Sequence, residues 1–150
     1  MRADPRTHRA PARTLLLTSV AGMEEASRVL GAGADLLDVT GCEPRAAAAI
    51  RARYPGEVWP GEVWPGAPAA AIPAESGPPG PAALVDADLA AARDGGDAPV
   101  AAVIAVAAVS TWLAAAAIRT RHVREVRRAI DMTATIAGRR PPALTIRGLA

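Results

Sequence analysis

Two short apolar runs separated by a helical pattern constrain this chain more than any other feature. The run TLLLTSV from Thr14 is apolar with β-branched residues, the mark of a buried strand. Met23, Ala26 and Leu30 then recur at helical spacing. Glu24 and Glu25 place negative charge at the helix N-terminus, and Gly31 and Gly33 supply its stop. A second strand, ADLLDVT, follows, with Leu36, Asp38 and Thr40 on one face and Leu37 and Val39 on the other. Loops this short predict parallel strands joined by a right-handed crossover, and so an α/β fold.

The rest of the chain repeats that rhythm with interruptions. Residues 43–54, EPRAAAAIRARY, predict a second helix that Pro44 opens and Pro55 ends, with a short third strand after it. The pentapeptide PGEVW occurs at 55–59 and again at 60–64, far below any solenoid repeat, and reads as a duplication that extends a loop. Residues 65–81 hold six prolines, so neither helix nor ladder persists through them. A helix is expected over 82–94. The uncharged stretch 98–118, followed by RTRHVR, has the length and basic flank of a membrane span. It is mostly alanine, which is barely apolar, and a buried helix at 99–113 followed by a buried strand at 114–119 is the preferred reading. The last helix places Val123, Val126, Ile130, Ala134 and Ala137 on one side and Arg124, Arg127, Arg128 and Asp131 on the outer side. Gly138 sits at the left-handed cap position, and Pro141 and Pro142 stop any continuation.

The expected organisation is a disordered basic extension over 1–13, one α/β domain over 14–138 interrupted by a disordered Pro/Gly-rich linker at 60–81, and a basic tail over 139–150. With 150 residues the chain holds a single core but only about half of a complete eight-stranded α/β barrel, which takes about 250.

Charge and cysteine usage bound the function. There is no lysine, and all 17 basic residues are arginine. Residues 1–13 carry +3, residues 14–118 carry −7 and residues 119–150 carry +6. The basic end is expected to be a solvated helix face lying against the acidic middle. It has no interleaved aromatic side chains for base stacking, so nucleic acid is not an expected partner. Cys42 is alone, which rules out an intrachain disulfide and fits a reducing, cytoplasmic setting.

In a parallel barrel or half barrel, ligands bind where side chains line the C-terminal ends of the strands. Asp38 and Arg119 fall there. A guanidinium beside the first turn of the last helix can seat a phosphate or pyrophosphate. Asp38 fits equally well as a loop cap or as a partner of Arg119. His122, the only histidine beyond the N-terminal extension, excludes a two-histidine metal site within the folded part. Ser19, Ser110 and Cys42 lie in no nucleophile elbow and beside no histidine.

The closing segment VAAVSTWLAAAAIRTRHVREVRRAIDMTATIAGRRPP resembles the final helix, strand and helix of dihydropteroate synthases. The early segment AGADLLDVTGCEPRA is similar to their GADIIDVGGESTRPGA. The family's last strand ends in an R-x-H-D-V-type motif whose Arg and His hold the substrate pyrophosphate. Here the string is Arg119, Thr120, Arg121, His122, Val123, with Arg121 in the family's His position and His122 in its Asp position. The resemblance places Asp38 on the family's strand Asp, and Glu43 and Arg45 in a shortened form of its mobile loop. It implies a partial (β/α) barrel and the condensation of dihydropterin pyrophosphate with p-aminobenzoate, a transferase reaction of folate biosynthesis assisted by Mg²⁺. The family's opening Asn with its T-P-D-S-F run, its S-V-D-T strand and its S-R-K Lys are missing. The expectation is therefore a truncated, degenerate relative that binds a pterin or another phosphorylated small molecule and is inactive as a synthase. Two alternatives remain, a non-catalytic barrel fragment that pairs with itself or with a full-length relative, and a single-span membrane protein through 98–118.

Overall fold

The computed structural model describes residues 13–59, 84–92 and 97–141. In chain order the elements are β1 (Leu15–Ser19), α1 (Met23–Gly31), β2 (Leu36–Asp38), α2 (Pro44–Arg53), β3 (Leu84–Asp86), α3 (Ala87–Ala91), α4 (Val100–Trp112), β4 (Ala117–Arg119) and α5 (Val123–Ile136). The four strands form one parallel sheet in the order β2-β1-β4-β3, so the last strand lies beside the first. The steps β1 to β2 and β3 to β4 each move one place in the same direction along the sheet. Right-handed crossovers then put their connecting helices on the same face.

Burial agrees with that geometry. Leu16, Leu37 and Ile118 join Val29, Ile50, Val103, Val126 and Ile130 in one core to which all five helices contribute. Fully burying an aliphatic side chain of this size contributes about 1.5–3 kcal/mol. Strand alternation sends Leu17, Leu84 and Ala117 to the opposite face, where half-buried Leu15, Leu36 and Trp59 pack with them. Among the described residues, no helix contributes to this second cluster. The same alternation carries Ser19, Asp38 and Arg119 onto this face at the C-terminal ends of their strands.

Several expectations change. Residues 84–86 are a strand, not part of a helix over 82–94, because their backbone pairs with Ala117, Ile118 and Arg119. Asp86 then caps the short α3 by accepting a hydrogen bond from the Leu89 N–H. The third strand expected after α2 is reduced to one bridge between Val58 and Leu37. The stretch 98–118 is divided between α4 and β4, and no helix among the described residues is long and apolar enough to cross a membrane. Arg127 is buried rather than on the outer side of α5. Arg13 and Arg139, assigned to an extension and a tail, are held by the fold, Arg13 by Asp35 and Arg139 by the carbonyls of Thr111 and Trp112. The expectations for 1–12, for the linker at 60–81 and for 142–150 lie outside the described residues.

Candidate functional site

β1 lies between β2 and β4, and that placement assembles the site. Ser19 is level with Asp38 across the β1–β2 pair, whereas Arg119 is level with Leu17 across the β1–β4 pair. The Arg119 side chain therefore reaches along the sheet by two residues, roughly 7 Å, to meet the other two. Its Nη2 donates to Asp38 Oδ2 at 2.7 Å and to Ser19 Oγ at 2.6 Å. The Ser19 hydroxyl donates in turn to Asp38 Oδ2 at 3.2 Å. The other carboxylate oxygen accepts from the Thr40 N–H at 2.9 Å and from the Thr40 hydroxyl at 2.7 Å. Thr40, expected to share a strand face with Asp38, lies past the end of β2 in the turn that caps it.

Asp38 is only 2% exposed, yet it is held as a carboxylate. Burial by itself raises its pKa. The Thr40 hydrogen bonds, the Arg119 guanidinium and the Ser19 hydroxyl outweigh that effect and bring the pKa below its ordinary value of 3.8. Of the two roles that the sequence leaves open beside ligand binding, the structure shows both: Asp38 caps its own loop and pairs with Arg119.

Next to this cluster is a cleft of about 430 Å³, lined by Ser19, Arg119 and Arg121 and by Asp86, Asp88 and Asp97. The turn after β4 is tied down by Asp88, which accepts from the Thr120 hydroxyl at 3.0 Å and from the Arg121 N–H at 2.7 Å. Arg121 pairs with Asp97 at 3.0 Å. His122 is half-buried, and its Nε2 accepts from Arg121 Nε at 3.3 Å. Of the residues singled out in the sequence, Asp38 and Arg119 come together, with Arg121 and His122 on the adjoining turn. Glu43 immediately precedes α2 and Arg45 is in its first turn. Both are exposed; Glu43 ends the loop after β2, whereas Arg45 lies in the helix that Pro44 starts, a correction to its expected place on the loop.

Ser19, Thr40, Asp86, Asp88 and Asp97 went unrecognised as site residues. The sequence offers Ser19 only as a possible nucleophile; pairing of β3 with β4 brings Asp86 and Asp88 to the cleft, and Asp97 reaches it from the segment before α4. The cleft can bind a charged ligand and neutralise its charge. Among the described residues, no histidine contacts the Ser19 hydroxyl. The Cys42 thiol donates to the Val20 carbonyl, and burial together with Asp38 and Glu25 pushes its pKa up against a smaller opposing effect of Arg51, so it is a poor nucleophile. Mg²⁺ does not fit. Both Asp38 oxygens are engaged, and among the described residues no three His, Cys, Asp or Glu side chains converge as ligands.

The chain is thus a parallel α/β protein with a charged cleft at the C-terminal end of its sheet. Compared with protein-family models, curated proteins and solved structures, it matches none of them.

Proposed function

We propose that this protein is a dihydropteroate-synthase-like pterin-binding protein, a partial (β/α) barrel that holds a phosphorylated pterin without turning it over. The observation that carries the reading is the placement of β4 beside β1, which brings Arg119 to Asp38. In a closed (β/α) barrel the last strand likewise returns to pair with the first, and every helix lies on the outer face. The cleft offers such a ligand both donors and acceptors. Arg119 is 36% exposed and uses only Nη2 on its protein partners, which leaves donors for an anionic group. The Oδ2 atoms of Asp86 and Asp97, which accept from no partner among the described residues, can accept from the amino and ring N–H groups of a pterin. Turnover is not part of the proposal. The described residues form no cage of protein ligands for Mg²⁺, and there is no lysine in the chain.

Isothermal titration with dihydropterin pyrophosphate tests the reading. Saturable binding is expected, weakened roughly tenfold or more in Arg119→Ala, the loss of a charge-assisted hydrogen bond. Absence of saturable binding, or indifference to the substitution, rejects the pterin site. Formation of dihydropteroate on adding p-aminobenzoate rejects the inactive assignment.

A further inference from the structure

A second concentration of charge lies at the opposite end of the sheet. Arg13 and Thr14 lead into β1, and Arg139 and Arg140 follow α5, so the first and last described segments meet there. Together with Ile130 and Asp131 they line a cavity of about 310 Å³.

The charges around this cavity do not balance. Arg13 Nη2 is 2.7 Å from Asp35 Oδ1, and Arg127 Nη1 is 2.8 Å from Asp35 Oδ2. Arg127 Nε lies 3.3 Å from Asp131 Oδ1, to which Arg140 also pairs. Arg139 spends its donors on the neutral carbonyls that end α4. Among the described residues, three of these guanidiniums share two carboxylates and Arg139 pairs with none, leaving two positive charges in excess. Arg127 is the most constrained of the four. Its side chain is 10% exposed, and its buried Nε and Nη2 make no hydrogen bond. Arg127 does not line the cavity itself, but its charge adds to an excess that a dianion held by Arg13, Arg139 and Arg140 offsets.

We infer that this cavity is an anion site for the phosphate group of a small molecule, distinct from the cleft at the other end of the sheet. Arginine forks match the tetrahedral oxygens of phosphate in pairs, and Arg13 and Arg140 each keep donors that their carboxylate partners do not use. The site is built from the two ends of the fold, so its occupation fastens the N-terminal strand to the end of α5.

The test is titration of the full chain with inorganic phosphate in one arm and ribose 5-phosphate in the other, followed by calorimetry and by ³¹P NMR. Saturable binding in at least one arm is expected, and the tighter arm tells free phosphate from a phosphomonoester. Arg13→Gln and Arg140→Gln should each weaken it roughly tenfold to a hundredfold. Arg124→Gln removes the same charge from the exposed face of α5 and should leave binding unchanged. Arg140→Lys keeps the ion pair with Asp131 but not the fork; it is expected to fold as the parent does and to bind more weakly. Equal weakening in Arg124→Gln would reduce the effect to net charge and overturn the inference. So would no saturable binding in either arm, or binding lost in Arg119→Gln and kept in Arg13→Gln and Arg140→Gln.

Discussion

Asp38 is a charge in a place with almost no water, and its surroundings decide what that costs. Four hydrogen-bonding groups or charges can offset the desolvation of a buried carboxylate only if they are already in place, and here β1, β4 and the Thr40 turn hold them. Removing the carboxylate leaves the guanidinium of Arg119 without its partner. Asp38→Ala should therefore lose about 3 kcal/mol of stability, and Asp38→Asn less, because the amide oxygen still accepts from Thr40. The folded pKa is lowered, so the stabilisation is fully present above the ordinary value of 3.8. It is lost as pH falls through the lower folded value. Urea denaturation from pH 7 downward should show the gap between the parent chain and Asp38→Asn narrowing only below that ordinary value. A gap that stays constant with pH would mean that Asp38 is not ionised in the folded chain.

At the scale of elements, three helices end in the same way. After α1, α4 and α5 the chain turns through a positive φ, at Gly33 (107°), Ala114 (63°) and Gly138 (69°). In each case the next N–H reaches back to a carbonyl of the last turn, Ala34 to Val29, Ala115 to Ser110 and Arg139 to Ala134. The motif favours glycine, and α4 ends on alanine. Ala114→Gly should consequently be neutral to stabilising by up to about 1 kcal/mol. Gly138→Ala should cost about 1 kcal/mol, since an added Cβ meets nothing within 4 Å. Gly33→Ala should cost more, because its Cβ would lie 2.9 Å from Cγ of the buried Arg127. Thermal denaturation of the three variants gives the order, and equal losses at Gly33 and Gly138 would remove Arg127 from the account. Gly138 as a cap was legible in the sequence from its place after the periodic apolar residues. Ala114 was not, because nothing about an alanine within an alanine-rich run marks a left-handed turn.

For the molecule as a whole, strand order ranks stability. β1 and β4 are flanked by strands on both sides, whereas β3 lies at one edge and β2 has only the single Val58 bridge beyond it. Hydrogen exchange should therefore be slowest at Leu17, whose N–H belongs to the central strand, and faster in β3. Protection of β3 equal to that of β1 would show that its outer edge is covered. The charge asymmetry resolves at the same scale. Arg119, Arg121 and Arg127 from the basic end pair with Asp38, Asp97 and Asp35 from the acidic middle, as the opposed charges predict.

The amino-acid sequence by itself determined the elements whose signals are local. The strand–helix–strand unit at the start and the apolar stripe and glycine cap of α5 arise from neighbours a few residues apart, and so does the division of 98–118 into helix and strand. Only the tertiary structure decided what depends on residues far apart in the chain. Leu84, Val85 and Asp86 become a strand through pairing with β4, Arg127 leaves the outer face of α5 to meet Asp35, and Ser19 joins Asp38 to Arg119 because β1 lies between their strands. The physical reason is that a hydrogen-bond ladder or a buried ion pair has its energy in the partner, and a single sequence position does not name its partner.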